Sequence, residues 1–122
     1  MLKNDEFNRS NLNKIRTIVV TKNQIKIHDP EFVSTAKSPR EAIEILKKGG
    51  FKTIMVCGGG KLNSSFMEEN LIDEIYIDIE PIVFGKGIRI FESLDFEAKL
   101  KLLEVKKISK NEIQLHYEVF KD

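Results

Sequence analysis

Three consecutive glycines, Gly58, Gly59 and Gly60, follow an almost wholly apolar run at residues 53–57 and precede a helical pattern. Glycine loses more backbone entropy on folding than other residues, so three in a row indicate left-handed backbone angles or close approach to another group. The apolar run is typical of a strand covered on both faces of a parallel sheet. Free amides and the positive end of the helix dipole would therefore converge at these glycines, here called the glycine corner, which predicts a strand-turn-helix unit that attracts phosphate.

Hydrophobic periodicity divides the rest of the chain into short strands and two helices. Ser38, Pro39 and Glu41 mark the start of the first helix as N-cap, first helical residue and capping-box partner. Asn70 is suited to end the second helix in a left-handed conformation. Two alternating runs near the end of the chain, separated by Ser-Lys-Asn, predict an antiparallel hairpin. Strands are predicted at residues 15–20, 32–35, 53–57, 73–80, 99–108 and 112–119.

The order of these elements predicts an α/β fold whose mixed sheet is parallel at its centre and antiparallel at its C-terminal edge. The length of 122 residues predicts one domain over residues 1–122, and the aperiodic residues 1–13 predict a loosely ordered start.

Charge and cysteine content narrow the class of function. Twenty basic and 19 acidic residues leave a net charge of +1, so no field recruits nucleic acid or an acidic membrane surface. No apolar run approaches the ~20 residues that span a bilayer. The single cysteine, Cys57, forms no internal disulfide and is expected to be a small buried hydrophobe. A cytoplasmic protein with a small-molecule partner is therefore predicted.

Two interpretations of the glycine corner stay open on residue chemistry alone. It either contacts phosphate, with Lys61 adding a cation, or it is a tight turn that packs a helix on a strand. A dinucleotide-binding fingerprint fails at its third glycine, where Asn63 stands, and a P-loop fails for lack of a Lys-Ser/Thr pair. Thr21 and Lys22 similarly form either a second phosphate contact or a solvated turn. No Cys, His and carboxylate cluster has metal-site spacing, so no metal is expected.

The sequence C-G-G-G-K-L-N at residues 57–63, followed by L-I-D-E-I-Y-I-D-I-E-P-I-V-F-G-K-G at residues 71–87 and by Phe91, resembles the dihydrofolate-reductase-like superfamily. That group includes the RibD C-terminal domain, a reductase domain of riboflavin biosynthesis. Residues 12–22 resemble the strand that, in those enzymes, ends in residues gripping the 2′-phosphate of NADPH. The resemblance covers most of the chain and implies a three-layer αβα fold with a mixed sheet.

The resemblance also implies an NADPH site. Thr21 and Lys22 would meet the adenosine 2′-phosphate, and the glycine corner would form the turn against the pyrophosphate. The next three residues would open the helix whose N-terminus faces the cofactor. The implied cofactor-binding residues are Thr21, Lys22, Gly58, Gly59, Gly60, Lys61, Leu62 and Asn63.

The function implied by the resemblance is an NADPH-dependent reductase of a pteridine or of a ribosylaminopyrimidine of the riboflavin pathway, or the cofactor-binding half of such an enzyme. The alternative is a non-catalytic module of the same fold that serves in assembly or regulation. Members of the family begin with a strand, a substrate-binding helix and a second strand that this sequence lacks. We therefore expect a domain truncated at its N-terminus, with no assigned catalytic residue, which alone binds NADPH weakly, if at all, without turnover.

Two further expectations come from the resemblance. Cys57 stands where the riboflavin reductases usually have Glu, which points toward the broader superfamily rather than its riboflavin branch. The C-terminal strands commonly form the subunit contact in this superfamily, so the alternating hairpin predicts a homodimer.

Overall fold

The computed structural model describes residues 15–92 and 95–121. The predicted loose start at residues 1–13 lies outside this part of the chain. The chain divides into two compact units, one ending at Gly58 and the other beginning at Gly59. None of the helices within the described ranges is long and apolar enough to cross a membrane.

The first unit contains two parallel strands and one helix. Strand β1 (Thr17–Val20) pairs with β2 (Val33–Ala36), with Thr17 opposite Val33. Helix α1 (Pro39–Lys48) packs against both strands. The sequence predicts a sheet with a parallel part, and the structure shows that part to be the pair β1 and β2.

Helix α1 begins as its sequence predicts. The Ser38 hydroxyl accepts a hydrogen bond from the Glu41 amide at 3.1 Å, which satisfies one free donor of the first turn. The Glu41 carboxylate reaches back one residue further than in an ordinary capping box and accepts from the Lys37 amide at 2.8 Å. Local capping chemistry therefore fixes where this helix starts.

The prediction of a strand at residues 53–57 is wrong, because these residues form no strand in the structure. A strand needs a neighbour to receive its main-chain hydrogen bonds, and the sheet of this unit consists of β1 and β2 in the described residues. Met55 is 84% exposed, and Cys57 is also exposed, so the expectation of a buried cysteine is wrong as well. An apolar run indicates a tendency toward burial, but it does not show that a neighbouring strand is present to pair with it.

The second unit contains helix α2 (Gly60–Glu68) and strands β3 (Glu74–Ile79), β4 (Leu100–Ser109) and β5 (Glu112–Val119). The three strands form an antiparallel sheet in the order β3-β5-β4, which confirms the predicted hairpin. Asn70 follows Glu69, the C-cap of helix α2, and its φ of 60° confirms the predicted left-handed cap. The mixed α/β class is thus confirmed, with its parallel and antiparallel parts in two sheets.

The antiparallel sheet has one apolar face. Residues directly opposite each other share a face, and Tyr117 lies opposite both Ile75 and Leu102. A bulge between Leu102 and Glu104 places Val105 on that same face, opposite Leu115. Lys107, opposite Ile113, also lies on this face, and its apolar residues are Ile75, Ile77, Ile79, Leu100, Leu102, Val105, Ile113, Leu115, Tyr117 and Val119.

The opposite face of the sheet is polar and is held by cross-strand pairs. The rings of Tyr76 and His116 stack with their centroids 4.0 Å apart. Glu74 Oε1 lies 2.8 Å from His116 Nε2, and the Gln114 amide donates to Asp78 at 2.9 Å. These pairs fix the register of β3 against β5, so that the apolar residues stay together on the other face.

Candidate functional site

The glycine corner combines three different backbone environments. Gly58 has φ of +79°, a left-handed angle that a residue with a Cβ rarely adopts. Gly59 is the N-cap of α2, and a Cβ placed on it would meet nothing within 4 Å. A Cβ on Gly60 would lie 2.9 Å from the carbonyl oxygen of Arg89. The corner is therefore open beside Gly59 and closely packed beside Gly60.

The first turn of α2 presents free main-chain donors. Its N-cap makes no side-chain capping bond, and the first helical bond runs from the Asn63 amide to the Gly59 carbonyl at 2.9 Å. The amides of Gly60, Lys61 and Leu62 precede that bond and have no helical partner. No acidic residue stands in this turn, and the Lys61 side chain is exposed. Uncapped donors, the helix dipole and a nearby cation together suit the binding of an anion such as phosphate.

Residues 89–92, here called the brace, lie along one side of this turn. The Asn63 side-chain amide donates to the Ile90 carbonyl at 2.9 Å. Ser64 Oγ accepts from the Glu92 amide at 2.7 Å and lies 3.3 Å from the Glu92 carbonyl, to which it donates. Ser64 is completely buried. Sequence reasoning missed the contact of the brace with the candidate site, since a single serine within a helix carries no signal for a partner 28 residues away.

Thr21 and Lys22 belong to the first unit and follow β1 directly. The Thr21 amide donates to the Ala36 carbonyl at 2.8 Å, which continues the pairing beyond the strand. Its hydroxyl accepts from the Asn23 amide at 3.1 Å. Lys22 is exposed, and no partner for its ammonium group is seen among the described residues. Thr21 is thus fixed by local bonds, while Lys22 is free to meet a ligand.

The sequence-predicted residues are therefore divided between the two units. Thr21, Lys22 and Gly58 lie in the first, whereas residues 59–63 form one continuous turn in the second. No group of three or more His, Cys, Asp or Glu able to hold a metal occurs within residues 15–92 and 95–121. A pocket of the second unit lies at the other end of α2, beside Met67 and Asn70, and does not include the uncapped turn.

The fold is similar to that of solved proteins of riboflavin biosynthesis. A Shewanella sp. PV-4 protein described as a riboflavin biosynthesis protein superposes with a TM-score of 0.71 at 22% identity, covering 85% of this chain and 60% of that one. RibD from Acinetobacter baumannii gives a TM-score of 0.69 at 20% identity, covering 86% and 38%. At these identities the comparison establishes the fold. The dihydrofolate-reductase-like fold that the sequence predicts is thereby confirmed.

The family model for the RibD C-terminal domain matches residues 3–114, and the chain belongs to that family. The expected resemblance to the RibD C-terminal domain is thereby confirmed. The family model matches although Cys57 stands where the riboflavin reductases usually have Glu.

Two curated relatives are each 40% identical to this chain over part of its length. YwjB, an uncharacterized protein of Bacillus subtilis, is 40% identical over 72 residues, which cover 59% of this chain and 41% of YwjB. The 2,5-diamino-6-ribosylamino-4(3H)-pyrimidinone 5′-phosphate reductase of Archaeoglobus fulgidus is 40% identical over 68 residues, which cover 56% of this chain and 31% of that enzyme. The chain therefore spans well under half the length of these relatives.

Proposed function

We propose that this chain binds NADPH as part of a reductase of the RibD type, and that the first turn of α2 receives the pyrophosphate. One observation carries the proposal, namely the uncapped turn that follows Gly59, a residue at which an added Cβ would meet nothing within 4 Å. A phosphate oxygen accepts hydrogen bonds from such amides, and its negative charge is favoured by the helix dipole. Lys61 adds a cation at the same end of the helix.

The remaining contacts are proposed from the family resemblance. Thr21 and Lys22 would bind the adenosine 2′-phosphate, the group that distinguishes NADPH from NADH. The lysine would supply charge, and the threonine hydroxyl would supply a donor. Gly58 would set the direction of the chain into the corner through its left-handed angle. NADPH supplies a hydride when bound, so the task of these residues is to hold and orient it.

The substrate class that we propose is a ribosylaminopyrimidine phosphate. Its support is the name of the Archaeoglobus relative, a reductase of that kind of pyrimidine. A pteridine is the other substrate class that the superfamily resemblance implies. We assign no catalytic acid or base among the described residues. Hydride transfer depends more on the positioning of cofactor and substrate than on side-chain chemistry.

A second candidate function is a non-catalytic module of the same fold that acts through association. The observation that favours it is the exposed strand β4, all ten residues of which are solvent-accessible. The non-catalytic module and the reductase differ in whether the substrate is reduced. The module would associate without reducing any pyrimidine or pteridine.

A cofactor titration followed by an activity assay tests the proposed function. The fluorescence of NADPH and then of NADH is measured against the purified 122-residue chain, up to cofactor concentrations of about 1 mM. For the chain alone we expect weak but saturable binding with NADPH preferred, and no cofactor oxidation when the pyrimidine phosphate is added. Binding without a preference for NADPH favours the non-catalytic module, measurable oxidation refutes the expected lack of turnover, and no binding of either cofactor refutes the proposed function.

We also propose a homodimer formed through β4. This strand lies at the edge of the sheet, and Leu102 and Val105 are 51% and 55% exposed on its apolar face. An edge strand with exposed apolar residues readily pairs with a second copy of itself.

Val105→Lys is expected to shift the dimer toward monomer, raising the dimer dissociation constant at least about tenfold, because a charge would enter the apolar contact. Sedimentation velocity over a concentration series measures the shift. Gln114→Lys is the matched control, since it adds the same charge on the polar face of the sheet. A monomeric wild-type chain, or equal dissociation constants for the two variants, would contradict the proposed contact.

A further inference from the structure

We infer that Ser64 is a positioning residue for the phosphate-binding turn, acting through the brace without touching the cofactor. The inference rests on the proposed function and extends it to a residue with no role in cofactor contact. Ser64 is the one polar residue among the buried side chains of the described chain, and it is completely enclosed. Burying a hydroxyl is unfavourable unless both its donor and its acceptor capacities are used.

Both capacities of Ser64 are used on a single partner residue. Its oxygen accepts from the Glu92 amide at 2.7 Å, and its hydrogen is directed to the Glu92 carbonyl 3.3 Å away. Such a pair recognises the main chain of Glu92 and not its carboxylate. It holds the brace at one register along the helix, because a shift of one residue would break both bonds at once.

Two further contacts place the brace along the same side of α2. Asn63 donates to Ile90, and Gly60 approaches the Arg89 carbonyl so closely that no side chain would fit. Asn63 and Ser64 lie three and four residues after Gly60, so both lie on the same side of the first turn as Gly60. The order of the contacts follows the order of the brace residues, from Arg89 to Glu92.

The consequence for the site is a fixed direction of the uncapped amides. The brace occupies the side of Gly60, while the space beside Gly59 stays open. A phosphate held by several main-chain donors requires those donors to keep their mutual orientation with the rest of the site. Releasing the brace would let the first turn move as a unit, so the pyrophosphate would lose affinity although no residue in contact with it had changed.

The test compares Ser64→Ala with Ser65→Ala. Both variants remove one hydroxyl from the same helix, but Ser65 bonds only within it, to the Leu62 carbonyl at 2.8 Å. Dissociation constants for NADPH and for NADH are measured by fluorescence, at a temperature where circular dichroism shows each variant folded. We expect Ser64→Ala to raise the dissociation constants of NADPH and NADH by the same factor. This factor is about three- to tenfold, as for the loss of a buried hydrogen bond. Ser65→Ala is expected to stay near wild type.

An equal loss of NADPH and NADH affinity in Ser64→Ala distinguishes a positioning role from a purely structural one. The pyrophosphate is common to NADPH and NADH, so a displaced turn weakens both and leaves the preference between them unchanged. A merely structural role would lower the unfolding midpoint and leave the affinity of the folded protein as it was. Hydrogen exchange adds a readout without cofactor, with faster exchange expected at the Asn63 amide in Ser64→Ala only.

Each outcome decides the inference. Should Ser64→Ala fold poorly, Ser64→Cys keeps nearly the same side-chain volume but weakens both bonds to Glu92, and it is expected to give the same equal losses. Wild-type binding with unchanged affinities in these variants overturns the inference and leaves the proposed function standing. Absence of binding by the wild-type chain overturns the proposed function, and the inference with it.

Discussion

Gly60→Ala is expected to destabilise the chain by about 1–3 kcal/mol, because the new methyl group overpacks a contact with main chain. Its Cβ would lie 2.9 Å from the Arg89 carbonyl oxygen and 3.2 Å from the Glu92 side chain. The side chain can move, but the carbonyl moves only with the brace. NADPH binding is therefore expected to fall below detection, since the turn and the brace would separate. Urea unfolding and cofactor titration measure the two effects.

Gly59→Ala is the matched control for this prediction. A Cβ on Gly59 meets nothing within 4 Å, and the φ of this residue is −76°, which other residues adopt readily. Its free energy of unfolding is expected to fall by no more than about 1 kcal/mol, the cost of alanine in place of glycine at an N-cap. The methyl group would, however, enter the space proposed for the pyrophosphate, so cofactor affinity should fall. Equal stabilities for the two alanine variants would contradict the packing argument at Gly60.

Lys22→Ala is expected to abolish the preference for NADPH over NADH. A charge-assisted bond to a phosphate contributes about 1.5–3 kcal/mol, which is about 10- to 150-fold in the dissociation constant. NADH lacks the 2′-phosphate, so its affinity is expected to be unchanged by the substitution. The paired titrations of NADPH and NADH measure the ratio directly.

Lys26→Ala provides the comparison for the loss of one positive charge. Lys26 is exposed, belongs to the same unit and stands four residues further along the chain. Its variant should keep the cofactor preference if the effect at Lys22 is a specific contact. Equal affinity of the wild-type chain for both cofactors would remove the assignment of Thr21 and Lys22.

The parts of the fold that follow from local chemistry were predictable from sequence. The Ser38 cap, the left-handed Asn70 and the alternating hairpin each depend on residues within a few positions of one another. The run at residues 53–57 was not predictable in this way, because the formation of a strand depends on a partner elsewhere in the chain. Its composition is the same whether or not a partner is present.

In the candidate site, too, the features with local sequence signatures were predictable and those formed by distant contacts were not. The glycine corner and Lys61 stand out in the sequence because glycine runs and helix starts have local signatures. The brace does not, since the contact of Ser64 with Glu92 joins residues 28 positions apart. The bulge of β4 between Leu102 and Glu104 is also hidden, because it shifts the alternation of the strand by one residue. Contacts of this kind become visible only when the chain is folded.

The central claim is that the first turn of α2 binds the pyrophosphate of NADPH. The most direct test is a titration of the ¹⁵N-labelled chain with NADPH, followed through the amide resonances of residues 59–62. We predict saturable shifts at these amides that also occur with NADH, because both cofactors carry the pyrophosphate. Saturable binding of NADPH that leaves these resonances unmoved would contradict the claim, and so would the absence of any binding.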